Sequence, residues 1–213
     1  STPPESSAAS DVYKRQAFAT AVVNCLPTAN FDWTGPNAPN ACDGEITSFS
    51  DQSYVNNSNG SGHLIDGWLW NMGDPSVGSG PTFTTANPSH IFGAGNYDVS
   101  LTVWDDQSPS CSNSVNISVL VNENPNADFT STSECLSDDC TQFTDISTST
   151  GNVNSWNWTI NPGDYCGNDD NTYENPRFLF NASGIHPVTL QITDDNFCTG
   201  IVTKNVEVYS NPT

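Results

Sequence analysis

Apolar positions in this chain recur with a period of two. In "YDVSLTVW" (97–104), Tyr97, Val99, Leu101 and Val103 point one way while Asp98, Ser100 and Thr102 point the other, the alternation of a strand with one buried face. "HPVTLQIT" (186–193) repeats it with Val188, Leu190 and Ile192. Turns rich in Gly, Pro and Asn separate such runs, and no stretch of useful length sustains helical spacing. The pattern predicts an all-β chain folded as a pair of antiparallel sandwiches.

The pattern is also internally repeated. "FSDQS" (49–53) matches "FTDIS" (143–147), and "WLWNMGDP" (68–75) matches "WNWTINPGD" (156–164), with Asn161 and Pro162 inserted before Gly163. "NPSHIFGAGNYDVSLTVWDD" (87–106) matches "NPRFLFNASGIHPVTLQITDD" (175–195), so that Leu101 falls on Leu190 and Asp105 on Asp194. Such self-similarity divides the chain into an extension, 1–26, and two copies, 27–123 and 124–213.

These residues carry a family resemblance. A tryptophan followed by an apolar residue and Gly-Asp, then Asn-Pro and a phenylalanine, then Gly-x-Tyr-x-Val-x-Leu-x-Val-x-Asp resembles the PKD (polycystic kidney disease) domain. In the first copy the carriers are Trp70, Gly73, Asp74, Pro88, Gly95, Tyr97, Val99, Leu101, Val103 and Asp105. In the second they are Trp158, Gly163, Asp164, Pro176, Gly184, Val188, Leu190, Ile192 and Asp194. The second copy departs at the Asn161-Pro162 insertion, which implies a rebuilt turn stapled by Cys166, and at His186, which stands where the aromatic Tyr is expected. The resemblance implies two tandem immunoglobulin-like sandwiches used as an extracellular spacer, adhesin repeat or accessory module, with no catalytic residues. It also marks Trp70 and Trp158 as core tryptophans. Their neighbours Trp68 and Trp156 are expected to face outward and, with Trp33 and Trp104, are candidates for contact with sugar rings or another subunit.

The start of the chain then becomes readable. "AFATAVVN" (17–24) aligns with "SVLVN" (118–122), the last strand of the first copy, so it reads as the closing strand of a preceding repeat. Ahead of it, "DVYKRQ" (11–16) resembles translated adapter sequence from library construction, and residues 1–16 are set apart from functional argument.

Charge narrows the partners. The 213 residues carry 24 Asp and Glu against 4 Lys and Arg, a formal net charge of −20. Nucleic acid and anionic membranes would be repelled, and no apolar run approaches the roughly 20 residues of a membrane-spanning helix. Hard oxygen ligands make calcium the one metal to consider, with Asp105, Asp106, Asp194 and Asp195 at equivalent turns. Otherwise no cofactor is expected. None of the common nucleophile, phosphate-loop or zinc-protease motifs is present, so the chain reads as a non-enzyme.

Seven cysteines without a CxxC spacing point to disulfides in an oxidising, extracellular setting rather than to zinc. Similar PKD repeats suggest Cys42–Cys111 and Cys135–Cys198, pairing the start of the second strand with the later turn inside each copy. In an immunoglobulin-like topology those places lie at opposite ends, however. The other scheme is a junction bridge, Cys42–Cys198, leaving Cys111 and Cys135 for neighbouring units. Cys140–Cys166 fits both, and Cys25 is left as a free or intermolecular thiol. Asn56, Asn59, Asn116, Asn157 and Asn181 begin glycosylation sequons.

Two functions fit this reading. One is a structural subunit of an extracellular filament, stalk or adhesin, associating with other copies of itself or with neighbouring repeats through the N-terminal strand. The other is an accessory module of a secreted hydrolase that holds polysaccharide or protein.

Overall fold

The structure is a computed structural model that describes residues 26–35, 40–56, 62–77, 82–107, 110–132, 136 and 139–210. Residues 1–25, with the expected N-terminal strand and Cys25, lie outside the described residues, as do Asn59 and Cys135.

Ten strands precede the second copy: β1 (Pro27–Thr28), β2 (Phe31–Thr34), β3 (Ala41–Cys42), β4 (Ile46–Asp51), β5 (Tyr54–Val55), β6 (Ile65–Asn71), β7 (Thr82–Phe83), β8 (Ser89–Ile91), β9 (Gly95–Asp105) and β10 (Ser112–Asn122). They form a sheet ordered β2-β4-β8 and another ordered β3-β10-β9-β6-β7, with β1 paired to β5. Every pairing is antiparallel except β3 with β10. The second copy supplies β11 (Phe129–Ser131), β12 (Thr141–Asp145), β13 (Val153–Thr159), β14 (Gly163–Tyr165), β15 (Arg177–Phe180), β16 (Gly184–Asp194) and β17 (Thr199–Val208). Its sheets run β11-β12-β15-β14 and β13-β16-β17.

Each sheet pair encloses its own core, and the two cores are built from the same aromatic plan. Phe31 and Phe49 meet Trp70 with ring centroids 4.9 and 5.7 Å away; Phe129 and Phe143 meet Trp158 at 5.1 and 5.5 Å. Both tryptophans are buried. Their indole N–H groups donate to backbone carbonyls, Trp70 to Thr85 and Trp158 to Tyr173, each at 2.9 Å, which removes the cost of burying a polar atom.

The repeated "FSDQS" and "FTDIS" stretches form a clasp at the rim of each core. Asp51 accepts the Trp68 indole N–H at 2.7 Å and the Ser53 amide at 2.9 Å, and Asp145 accepts from Trp156 and Ser147 at the same distances. The Asn87 and Asn175 side chains accept the Asp51 and Asp145 amides, each at 2.9 Å. Trp68 and Trp156 therefore do not face outward. Residues two apart on a strand share a face, so both are half-buried against the core beside Trp70 and Trp158, and it is Leu69 that is exposed. Trp33 likewise packs against the first core. Trp104 is half-buried and lies against Gly67, where an added Cβ would stand 3.4 Å from its ring.

The two departures of the second copy have distinct outcomes. In the first copy β7 stays beside β6, but after Asn161-Pro162 the chain crosses over and β14 pairs with β15 in the opposite sheet. Cys166, just past β14, is bonded to Cys140, just before β12. Gly163 suits this close approach, since a Cβ there would stand 2.0 Å from the Leu179 carbonyl oxygen. His186 takes over the task of Tyr97. The Tyr97 hydroxyl donates to the Gly93 carbonyl at 2.9 Å, and the His186 Nε2 bonds the Ala182 carbonyl at the same distance. Both rings pack on a core phenylalanine, Phe92 or Phe180.

Trp70→Ala and Trp158→Ala should each cost about 3–5 kcal/mol, because a fully buried aromatic leaves a cavity as well as an orphaned carbonyl. Chemical denaturation of both variants checks this, with comparable losses expected from the matching surroundings.

Candidate functional site at the junction of the two cores

The clearest convergence of functional groups lies where the copies meet. Cys42, in β3, is bonded to Cys198, just before β17, with Cα atoms 5.6 Å apart across 156 residues of sequence. Of the two pairing schemes the structure forms the junction bridge, and both cysteines are buried. Pairing within the copies, Cys42 with Cys111 and Cys135 with Cys198, does not occur, since Cys42 and Cys198 are already committed. Among the described residues Cys111 is the free cysteine, half-buried at the head of β10.

Asp194 positions Cys198. Its Oδ1 accepts the backbone N–H groups of Cys198 and Asn196, both at 3.0 Å, and its Oδ2 accepts the Ser149 hydroxyl at 2.9 Å. The carbonyl of Cys198 in turn accepts the Asp194 amide at 3.0 Å, closing a tight turn through Phe197 at φ 65°. Asp105 builds the same turn in the first copy. Its Oδ1 accepts the Cys111 amide at 2.7 Å, its Oδ2 accepts the Gln107 side-chain amide at 2.6 Å, and the Cys111 carbonyl accepts the Asp105 amide at 3.1 Å.

The four calcium candidates all have partners within the protein. N–H and O–H donors already occupy both carboxylate oxygens of Asp105 and Asp194, and Asp195 accepts from the Asn152 amide and side chain at 3.1 and 3.2 Å. Asp106 pairs with His63 at 2.8 Å, which holds its carboxyl below the usual value. Among the described residues no three His, Cys, Asp or Glu side chains are grouped as a metal would need.

Several junction residues carry no signal that a local reading would single out. The Asn40 side chain donates to the Asn196 carbonyl at 2.9 Å beside the disulfide, and the Asn124 side chain donates to the Asp43 carbonyl at 2.9 Å. Gly200 lies under the linker, where a Cβ would stand 2.1 Å from the Pro125 carbonyl oxygen. A lone glycine inside the otherwise regular "TGIVTKNVEV" strand is the one sequence cue to this close approach.

Next to the junction an open, polar depression of about 480 Å³ is lined by Asp145, Ser147, Asn152, Trp156 and Glu174 among others. Thr148 and Ser149 connect it to a smaller hollow of about 250 Å³ bordered by the linker residues Glu123, Asn124 and Asn126. The sequon residues Asn56, Asn116, Asn157 and Asn181 are exposed.

With this geometry in place, comparison with known proteins becomes informative. The PKD domain family model matches residues 32–119. That span runs from Asp32 in β2 to Val119 in β10, and so takes in most of the first core and its clasp. No curated protein matches. Solved structures that align with this chain include the fibronectin(III)-like modules of Clostridium thermocellum CbhA, at 15% identity over 84% of this chain and 95% of that one, TM-score 0.36. Carbohydrate-binding modules of the β-sandwich superfamily align at 16% identity over 79% of this chain and 55% of theirs, TM-score 0.38. The mouse nectin-like molecule 4 ectodomain (Ig1–Ig3) aligns at 10% identity over 89% and 67%, TM-score 0.35. None of these likenesses bears on what the chain binds. The PKD-matching span and the all-β sheets on both sides of the linker fix the fold class, and the two disulfides suit an oxidising compartment. No described helix is long and apolar enough to cross a membrane.

Asp194→Ala should lower stability by about 2 kcal/mol, since the buried Cys198 amide and the half-buried Asn196 amide lose their acceptor. Asp195→Ala, at an exposed position, should change it by less than about 0.5 kcal/mol. Paired denaturation curves compare the two directly.

Proposed function

We propose that this chain is a non-catalytic structural segment of an extracellular microbial filament, stalk or adhesin, made of two PKD repeats with calcium playing no part in its fold. The observation that carries this reading is the Cys42–Cys198 bond. A flexible linker would suffice to present two independent binding modules. A buried disulfide between separate cores, with Asn40 bonded to Asn196 beside it, instead resists bending and twisting at the junction, as a load-carrying spacer requires. Closing so long a loop also contributes about 5 kcal/mol by the chain-entropy estimate.

In the same proposal, residues 17–24 join units head to tail by adding a strand to a neighbour, where main-chain hydrogen bonds supply affinity. β17 offers an acceptor, since it ends its sheet among the described residues and presents Ile201 at 70% exposure. Such a contact is heterologous, so it propagates as a filament when the rotation between units does not close.

Small-angle scattering tests the spacer reading. The native chain should scatter as one elongated body of fixed shape, whereas Cys42→Ser/Cys198→Ser should keep both cores folded yet show a broadened distance distribution. Indistinguishable curves would remove the disulfide from its proposed role.

A second reading rests on the depression beside Trp156. A half-buried indole rimmed by Asp145, Asn152 and Glu174 combines a flat apolar surface with hydrogen-bonding groups, the composition of a weak sugar site. Retention on insoluble polysaccharide that Trp156→Ala abolishes without unfolding would favour that reading.

A further inference from the structure

The outward face of the five-stranded sheet in the first copy carries a short apolar strip in uncharged surroundings. Trp104 of β9 lies between Gly67 of β6 and Ser112 of β10, and in the next row Thr102 lies between Leu69 and Ser114. Gly67 has no side chain, so the indole leans over the neighbouring strand, its Cε3 and Cδ2 3.4 and 3.9 Å from where a Cβ would stand. Residues two apart on a strand share a face, which puts the ring beside Leu69, a residue 41% exposed. β7 pairs with β6 only at Trp70 and Asn71, so among the described residues no strand flanks Gly67 and Leu69 on their other side.

Hydroxyl groups border the strip. The Thr102 and Ser114 hydroxyls lie 2.8 Å apart, and Ser112 and Ser114 are exposed. Neither row holds a charged side chain, in a molecule with 24 Asp and Glu. The exposed acidic residues nearest along these strands are Asp66, in the bulge of β6, and Asp98, two rows beyond Thr102. The second copy shows that the fold does not require the strip. Its corresponding rows set Thr193 between Ser155 and Thr199, and Gln191 between Asn157 and Ile201. The two cores share their aromatic plan, but these outer rows carry an aromatic residue only in the first copy.

We propose that Trp104 and Leu69 form a binding platform for a neutral polysaccharide of the β-1,4-glucan type. In such a polymer the ring hydroxyls are equatorial, so the axial C–H groups make a flat apolar face that stacks on an indole while the hydroxyl rim meets polar side chains. Thr102, Ser112 and Ser114 supply those polar partners. The charge pattern selects a neutral polymer. A net charge of −20 repels an anionic one, and the two rows offer a cationic one no carboxylate to pair with. The platform adds a ligand to the structural reading and does not depend on it. It is also separate from the depression beside Trp156, which is lined by residues of the second copy.

Affinity electrophoresis of the full chain tests the platform, with the protein produced in a host that leaves Asn116, on the same face, unglycosylated. Native gels containing hydroxyethyl cellulose should retard the chain, and gels containing alginate, an acidic polymer, should not. Trp104→Ala should weaken binding about tenfold, and Trp104→Tyr should keep most of it. Leu69→Glu, which sets a carboxylate beside the ring without touching the core, should also weaken it. No retardation by hydroxyethyl cellulose, equal retardation in both gels, or retardation that survives Trp104→Ala and Leu69→Glu would overturn the proposal. So would a dimer in sedimentation that Trp104→Ala dissolves, because the strip would then be a contact between copies. None of these outcomes alters the scattering expected of a rigid spacer, so the two readings fail separately.

Discussion

A single covalent bond sets the relation between the two halves of this molecule. Cys42 and Cys198 lie 156 residues apart and are brought to a Cα separation of 5.6 Å, close to the middle of the range a disulfide accepts. The neighbouring features serve that contact. Asp194 fixes the turn that presents Cys198, Asn40 reaches Asn196 beside it, and Gly200 lets the linker pass at Pro125. Without the bond, relative motion of the two sheet pairs is the expected behaviour of tandem units joined by polar contacts.

Acidity shapes how the rest is held. With so few basic side chains, aspartates pair mainly with backbone amides, indoles and hydroxyls, as Asp51, Asp145, Asp105 and Asp194 do. The two described basic residues are both engaged. Arg177 reaches Asp169 through its Nε at 2.9 Å, and Lys204 holds Asp128 while its Nζ lies 5.2 Å from the centre of the Phe129 ring. The buried Asp74 shows the same economy. Burial pushes its carboxyl up, but hydrogen bonds from Ser76 and His90 outweigh that and leave it below the ordinary value. Turn aspartates that resemble calcium ligands in sequence are here the acceptors that close the turns.

The sequence made the strands legible because one buried face imposes a period of two, and the internal repeat made the core tryptophans legible because two copies need the same centre. The side on which Trp68 and Trp156 lie was also available from that period, since i and i+2 share a face; the expectation of an outward tryptophan overlooked it. Cysteine pairing was legible in part, since Cys140–Cys166 followed from the sequence while the junction bridge stood as one of two schemes. Position along a strand says which end of a sandwich a thiol occupies, but the partner depends on how two sandwiches stack. The crossing of β14 to the opposite sheet and the contacts of Asn40 and Gly200 belong to the same class, fixed by approach between distant segments and not by any local pattern.

Disulfide mapping of the monomeric chain, by proteolysis without reduction and mass spectrometry, tests the central claim most directly. The account predicts a peptide pair joining Cys42 to Cys198 and another joining Cys140 to Cys166. Peptides joining Cys42 to Cys111 and Cys135 to Cys198 would contradict it, because each sandwich would then be closed on itself with no cross-link across the junction.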